Sequence, residues 1–190
     1  MLQFLTTKSD RYSIAEEAQM AIDGGCRWVQ ITASLPDGVT MREAVAEIMP
    51  LCQENETFLM IDSDVELAKE MRVHGVHLKK GDMLPAEARE YLGPHAVIGV
   101  DTVTADDILA LKGKDIDYAV VEYNNETGNV VSAVRNAGFD IPIVARGNFT
   151  DAQFAEMLKA GISGFAISSQ ISDAEDPVKA TSEILEILTR

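Results

Sequence analysis

The segment TFLMIDSDVELAKEMRVHGVHLKK, residues 57–80, contains the unit that decides the fold. TFLMID (57–62) is a short apolar run that predicts a strand, and DVELAKEMRV (64–73) predicts a helix with Asp64 as its N-cap. GVHLKK (75–80) predicts a second strand. Strands of nearly continuous apolar character are typical of parallel sheets that are buried on both faces. The segment therefore predicts a strand–helix–strand unit of a parallel sheet.

The same alternation continues along the whole chain. The predicted strands cover residues 2–7, 27–33, 57–62, 75–80, 96–102, 117–124, 141–148 and 163–171. The predicted helices cover residues 13–25, 40–55, 64–73, 85–92, 104–113, 129–138, 150–161 and 176–188. Eight units in strict alternation favour the α/β class and a single (β/α)8 TIM barrel over residues 1–190, rather than an open doubly wound sheet. A leucine-rich solenoid has a similar period, but the chain lacks its L-x-x-L-x-L pattern. Pro50 is expected to kink or shorten the second helix.

The charge of the chain is strongly acidic. Its 190 residues include 31 Asp and Glu against 16 Lys and Arg, which gives a net charge of −15. Nucleic acid is not an expected partner, because phosphate backbones bind clustered Lys and Arg. No apolar run approaches the roughly 20 residues of a membrane span, and no signal peptide is visible. We therefore expect a cytoplasmic protein without membrane contact.

The two cysteines, Cys26 and Cys52, lie among apolar residues and form no CxxC pair. Buried free thiols are the expected state of such residues. Because the chain also has only three histidines, a structural zinc site is not expected.

Polar residues follow the predicted strands at their carboxyl ends, where the active sites of (β/α)8 barrels lie. The last two strands end in ARGN and ISSQ, and loops at these positions often bind phosphate through backbone N–H groups. Gly147 would allow an anion to approach the backbone closely, and Ser168 and Ser169 would donate hydrogen bonds. Arg146 would add a fork of donors. The alternative is a plain strand-to-helix turn, in which Gly and Ser are common.

Carboxylates follow the middle strands: Asp62, Asp64, Asp82, Asp101 and Glu122. Several carboxylates around one mouth suggest Mg²⁺, which prefers oxygen ligands from carboxylates, water and substrate phosphate. Asp64 has the alternative role of a helix cap, and Asp101 that of holding the following turn. His77 lies on a buried strand and is expected to be a hydrogen-bonded core residue rather than a catalyst.

The segments GCRWVQIT, LMIDSDVELAKEMRVHGVHLKKGD, AVIGVDTVTADD, IPIVARGNFT and GISGFAISSQI resemble, in this order, the thiamine phosphate synthase and thiazole tautomerase family. The resemblance extends from the first strand to the eighth helix. It implies a (β/α)8 barrel, often a homodimer, whose turns after strands 7 and 8 hold a thiazole phosphate. It also implies that a pyrimidine diphosphate loses pyrophosphate with assistance from Mg²⁺, and that the thiazole nitrogen attacks the resulting carbocation.

Resemblance and position together assign a role to each candidate residue. The catalytic candidates are Gln30, Ser63 and Asp101; the substrate-binding candidates are Gln30, Asp62, Arg146, Gly147, Ser168 and Ser169; the metal ligands are Asp62 and Asp82. Ser63 stands where the family has a magnesium aspartate, and Asp101 stands where it has a serine. The expected substrates are small phosphorylated molecules.

The chain departs from the family pattern on two strands. Thr32 and Ser34 stand where the family has an arginine and a lysine, and VEYNNETGN replaces a strand 6 segment that supplies another lysine. Lys79 and Lys80 are adjacent, and strand alternation places only one of them inward. Two alternatives to a synthase therefore stay open. One is a non-catalytic paralogue that binds a phosphorylated ligand, and the other is a different metal-assisted barrel enzyme.

Overall fold

The computed structural model of the chain describes residues 1–189. Eight parallel strands close into a barrel in chain order, and the first strand pairs with the last. The strands are β1 (Leu2–Leu5), β2 (Trp28–Ile31), β3 (Phe58–Asp62), β4 (Gly75–Leu78), β5 (Val97–Thr102), β6 (Tyr118–Glu122), β7 (Ile143–Arg146) and β8 (Gly164–Ile167). The predicted α/β class and (β/α)8 barrel are confirmed. Because all strands run in one direction, their carboxyl ends form a single rim.

Helices follow every strand within residues 1–189. They are α1 (Ile14–Asp23), α2 (Met41–Glu54), α3 (Val65–Met71), α4 (Pro85–Leu92), α5 (Ala105–Leu109), α6 (Thr127–Asn136), α7 (Asp151–Ala160), α8 (Ser169–Ser172) and α9 (Pro177–Leu188). The predicted caps Thr40, Asp64, Thr104 and Thr150 each accept a hydrogen bond from the backbone N–H three residues on. Side-chain capping of this kind pairs N–H groups that have no partner inside a helix.

Two helical features differ from expectation. The helix α2 continues through Pro50 to Glu54, so the expected shortening at Pro50 is wrong. Its buried face, which includes Ile48 before the proline and Cys52 after it, packs on the barrel and stabilises the helix across that position. The short helix α8 was not predicted, because four residues are too few to show a helical period.

The barrel contains an apolar cluster of its own, separate from the larger core between sheet and helices. The members of the inner cluster are Leu5, Met60, Tyr118, Val120, Val144 and Ala166. Side chains two residues apart on a strand point to the same face. Asp62, Glu122 and Arg146 each follow an inner residue by two positions, so the sheet directs them into the mouth of the barrel.

Cys26 and Cys52 are both buried and free, as predicted. Each packs in the core between sheet and helices. No helix within residues 1–189 is long and apolar enough to cross a bilayer.

Candidate active site at the carboxyl ends of the strands

A buried row of amide and carboxylate groups connects β1, β2 and β3 below the rim. The Nε2 of Gln3 donates to the Oε1 of Gln30 at 2.6 Å, and the Nε2 of Gln30 donates to the Oδ1 of Asp62 at 2.6 Å. All three side chains are almost fully buried. Because both ends of the Gln30 amide are paired, its orientation is set by Gln3 and Asp62. The structure thus brings together the predicted residues Gln30 and Asp62.

The second oxygen of Asp62 is also occupied. Its Oδ2 accepts a hydrogen bond from the backbone N–H of Ala33 at 2.9 Å and one from the Nζ of Lys79 at 2.5 Å. The buried carboxylate therefore has three protein donors, one of which is a cation. Burial of a carboxylate is tolerated when its charge is paired and its oxygens are hydrogen-bonded.

A second group of charges lies on β4 to β7. The Nε2 of His77 donates to the Oδ1 of Asp101 at 2.8 Å, so the expectation of a buried, hydrogen-bonded His77 is confirmed. The guanidinium of Arg146 reaches the two oxygens of Asp101, with Nη1 at 3.0 Å from Oδ1 and Nη2 at 3.2 Å from Oδ2. Its Nε donates to the Oε1 of Glu122 at 2.5 Å. Arg146 is thus paired with two carboxylates.

These contacts set the charge states of Asp101 and Arg146. Burial raises the pKa of Asp101, but the hydrogen bond to His77 and the charges of His77 and Arg146 lower it more, so the net pKa lies below its ordinary value. Burial lowers the pKa of Arg146, yet Asp101 and Glu122 raise it above its ordinary value. Both side chains are therefore charged at neutral pH.

Three further polar residues at the rim make hydrogen bonds to the backbone of neighbouring segments. Asp64 caps α3 by accepting from the N–H of Leu67 at 2.8 Å, which confirms its alternative role. Asp82 accepts from the backbone N–H of Lys79 at 2.7 Å and so holds the turn after β4. Ser63 is half-buried with a φ of 63°, and its N–H donates to the carbonyl of His77 at 2.9 Å.

The turns after β7 and β8 lie side by side. Gly147 has a φ of 155°, and a Cβ there would lie 3.2 Å from the Cβ of Tyr123. The hydroxyl of Ser168 makes no capping hydrogen bond at the start of α8. Beside these turns is a cavity of about 450 Å³ lined by Asn148, Phe149, Thr150, Gln153, Ser169, Gln170 and Asp173. The N–H of Gly147 donates to the carbonyl of Ala166 at 3.2 Å, and the N–H of Phe149 donates to Gln170 at 2.8 Å. The guanidinium of Arg146 is directed at Asp101 and Glu122.

Comparison with known proteins gives the family. A family model described as thiamine monophosphate synthase matches residues 2–171. The chain is 33% identical over 201 residues to a thiamine-phosphate synthase of Bacteroides thetaiotaomicron, with 98% of this chain and 96% of the relative covered. This chain belongs to the thiamine phosphate synthase family.

Further relatives of this family agree with the fold. A thiamine-phosphate synthase of Chlorobium phaeobacteroides is 31% identical over 182 residues, with 90% of this chain and 88% of the relative covered. Thiamine phosphate pyrophosphorylase from Pyrococcus furiosus superposes with a TM-score of 0.83 at 25% identity, over 99% of this chain and 95% of the other. The likeness therefore extends over the barrel and its rim.

Two departures from the thiamine phosphate synthase pattern, Thr32 and Ser34, lie in the loop directly after β2. The hydroxyl of Thr32 donates to the carbonyl of Thr6 at 2.9 Å, and the N–H of Ser34 donates to the hydroxyl of Thr32 at 3.2 Å. Short hydroxyl side chains stand where the resemblance implies an arginine and a lysine. The positive charges of this mouth come instead from Lys79 and Arg146.

Sequence reasoning did not select Lys79, Gln3 or Gln170 for the site. For Lys79 a signal existed, because it follows His77 by two positions and strand alternation places both on the same face. Gln3 had the same signal, because it precedes the inner residue Leu5 by two positions on β1. Gln170 had none, because it lies in a helix of four residues. The side chain of Gln170 bonds the backbone of Phe149 and thereby connects the two adjacent turns.

Proposed function

We propose that this chain is a transferase of the thiamine phosphate synthase type. It would join hydroxymethylpyrimidine diphosphate to thiazole phosphate and release pyrophosphate. The observation that supports this most is the family match over residues 2–171, on a barrel that collects Gln30, Asp62 and the two Gly/Ser turns at one rim. The active site of (β/α)8 enzymes lies at this rim.

The proposed reaction exchanges one bond at the pyrimidine methylene carbon. The C–O bond to the diphosphate breaks, and pyrophosphate leaves with the electron pair. The lone pair of the thiazole nitrogen then forms the new C–N bond. The enzyme accelerates such a step by holding the two reactants in line and by stabilising the charge of the leaving group.

Each half of the mouth has a part in this proposal. Ser168 and Ser169 bind the phosphate of the thiazole through their hydroxyls and backbone N–H groups, and Gly147, which has no side chain, leaves room for it. Gln30 and Asp62 position the pyrimidine half, because their side chains are buried, mutually bonded and fixed in direction. Ser63 follows β3 and Asp101 lies in β5, and His77 of β4, which pairs with both strands, bonds both residues.

The resemblance implies Mg²⁺ on Asp62 and Asp82, and the residues as arranged do not fit it. Both oxygens of Asp62 accept hydrogen bonds from protein donors, including the ammonium of Lys79. Asp82 is engaged with the backbone N–H of Lys79. Within residues 1–189, no group of three or more His, Cys, Asp or Glu side chains is placed to hold a metal ion.

An assay of product formation tests the proposal. The protein is incubated with hydroxymethylpyrimidine diphosphate and thiazole phosphate, with MgCl2 or with EDTA, and thiamine phosphate is measured as its fluorescent oxidation product. We expect product from the wild-type protein and a decrease in kcat/KM of about tenfold or more in Gln30→Leu. The matched control is Gln19→Ala, since Gln19 bonds Asp23 on the outer helix α1. Absence of product in both buffers at high protein concentration would refute the proposal.

A second candidate function is a non-catalytic protein that binds a phosphorylated ligand. Two observations favour it. The positive charge of Arg146 is already paired with Asp101 and Glu122, and Thr32 occupies the position at which the resemblance implies an arginine. Isothermal titration with thiazole phosphate alone separates the two functions. Binding without turnover would favour this second candidate. The homodimer that the resemblance implies stays a prediction, which light scattering of the protein in solution would test.

A further inference from the structure

Lys79 occupies an unusual position at the mouth of the barrel. Its ammonium lies 2.5 Å from the Oδ2 of Asp62, whose side chain is only 1% exposed. The Lys79 side chain itself is 38% exposed. The ammonium of Lys79 is thus directed at the buried carboxylate, while part of the Lys79 side chain is exposed at the mouth.

The ammonium group has donors to spare. A lysine ammonium has three N–H donors, and Asp62 is the hydrogen-bond partner that residues 1–189 provide for it. The other two donors remain for a ligand at the mouth. An ammonium on a partly exposed side chain is a suitable partner for a phosphate oxygen, because charge-assisted hydrogen bonds to phosphate are among the stronger polar contacts.

The position of Lys79 is held from two sides. Its backbone N–H donates to Asp82 at 2.7 Å, and the backbone N–H of Asp82 returns a hydrogen bond to the carbonyl of Lys79 at 3.1 Å. Its side chain is held by Asp62. The two aspartates that the resemblance assigns to Mg²⁺ therefore both bind Lys79. They act as positioning residues for a cation that the chain itself carries.

A metal ion at Asp62 would have to displace this lysine. A second cation on the Oδ2 of Asp62 would lie close to the ammonium and be repelled by it. Displacement of Lys79 from Asp62 would also leave its ammonium without a carboxylate partner. The local charge arrangement therefore favours the resident lysine over a divalent cation at this position.

We propose that the ammonium of Lys79 is the cation that binds the diphosphate of the substrate, at the place where the family resemblance implies Mg²⁺. Binding of pyrophosphate by this chain then depends on Lys79 and does not require Mg²⁺. The inference rests on the proposed function for the choice of diphosphate as ligand. The contacts of Lys79, Asp62 and Asp82 carry it independently of turnover.

Titration calorimetry with inorganic pyrophosphate tests the inference on the intact protein. The first titration is made in excess EDTA, because Mg²⁺ binds pyrophosphate in solution, and the second is made in MgCl2. We expect binding in EDTA, with Kd raised about tenfold or more by Lys79→Gln and changed less than about twofold by Lys80→Gln. Lys80 is the matched control because it is the exposed neighbour and its loss changes net charge equally.

A labelling measurement covers the case in which Lys79→Gln does not fold, since that change leaves a buried carboxylate without its cation. The wild-type protein is treated with limiting acetic anhydride, with and without pyrophosphate in EDTA, and acetylation of each lysine is read by mass spectrometry. We expect pyrophosphate to protect Lys79 and to leave Lys80 unchanged. Equal protection of both lysines, or of neither, contradicts the proposal.

Each result of the titrations is decisive. Pyrophosphate binding that appears only with MgCl2 would overturn the inference, as would equal effects of Lys79→Gln and Lys80→Gln or no binding in either buffer. Binding in EDTA that depends on Lys79, together with a failed synthase assay, would refute the proposed reaction and support the cation site. If product forms only with MgCl2 and pyrophosphate binding is unchanged in Lys79→Gln, the proposed reaction is supported and the cation site at Lys79 is refuted.

Discussion

The side-chain amide of Gln170 bonds both backbone polar groups of Phe149. Its Nε2 donates to the carbonyl and its Oε1 accepts from the N–H, each at 2.8 Å. Gln170 lies in α8, after β8, and Phe149 lies in the loop after β7. One side chain therefore joins the two turns that the proposed function assigns to phosphate binding.

Replacing Gln170 tests this connection. We expect Gln170→Ala to lower the free energy of unfolding by about 1–3 kcal/mol, because two partly buried backbone groups lose their partner. We also expect the affinity for thiazole phosphate to fall about tenfold, since the turns are no longer held together. Denaturant unfolding and calorimetry measure the two effects. Gln19→Ala on α1 is the control, and an equal loss of affinity in both variants would contradict the assigned role.

The barrel interior gives a second prediction at Gly99. A Cβ on this residue would lie 2.2 Å from the Cζ and 2.4 Å from the hydroxyl oxygen of Tyr118. We expect Gly99→Ala to destabilise the fold by about 3 kcal/mol or more, because the tyrosine ring is buried and has no room to move. Adding Tyr118→Leu should recover part of the loss.

The control for this prediction is Gly128→Ala in α6. The nearest atom to a Cβ there is the Cε of Met157 at 3.9 Å, which is ordinary contact. We expect it to be neutral or to stabilise the protein by up to about 1 kcal/mol, because alanine favours the helix. Denaturant unfolding compares both variants. If Gly99→Ala is as stable as Gly128→Ala, Tyr118 does not pack as closely against Gly99 as described.

The pKa of Asp101 predicts sensitivity to acid. Its folded-state pKa lies below the ordinary value of 3.8, so the unfolded chain takes up a proton more readily than the folded one. The stabilisation is present above the unfolded pKa and is lost as pH falls through the folded pKa. We expect Asp101→Asn to lower stability at neutral pH and to flatten the decline below about pH 4.

Denaturant unfolding at a series of pH values measures this effect. The control is Asp140→Asn, which removes an exposed aspartate. A decline in acid that Asp101→Asn leaves unchanged would show that other carboxylates carry the acid sensitivity.

The buried thiols give a prediction about reactivity. Burial, with a further contribution from nearby Cys26, raises the pKa of Cys52 to about 12, and burial also raises the pKa of Cys26. The thiolate is the reactive form, so both cysteines should resist a disulfide reagent in the native protein at mildly alkaline pH. Denaturant should release two reactive thiols per chain. Rapid native labelling of either cysteine would contradict its buried position.

Much of the fold could be predicted because it follows from local patterns. Residues 58–61 form an unbroken apolar run because both faces of a barrel strand are covered, and the helix caps are set by neighbours three residues away. The extent of α2 could not be predicted. The packing of Ile48 and Cys52 outweighs the cost of Pro50, and that packing depends on the rest of the barrel.

For the site, the sequence by itself determined which strands end in charged and polar residues and therefore which residues surround the mouth. Only the tertiary structure decided their partners. Gln30 and Asp62 are 32 residues apart, and Lys79 reaches Asp62 across 17 residues. Pairs of this kind depend on how neighbouring strands are staggered when the barrel closes and on the direction of each side chain. For that reason the sequence placed two aspartates and two lysines at the rim, and the fold put the ammonium of Lys79 on Asp62.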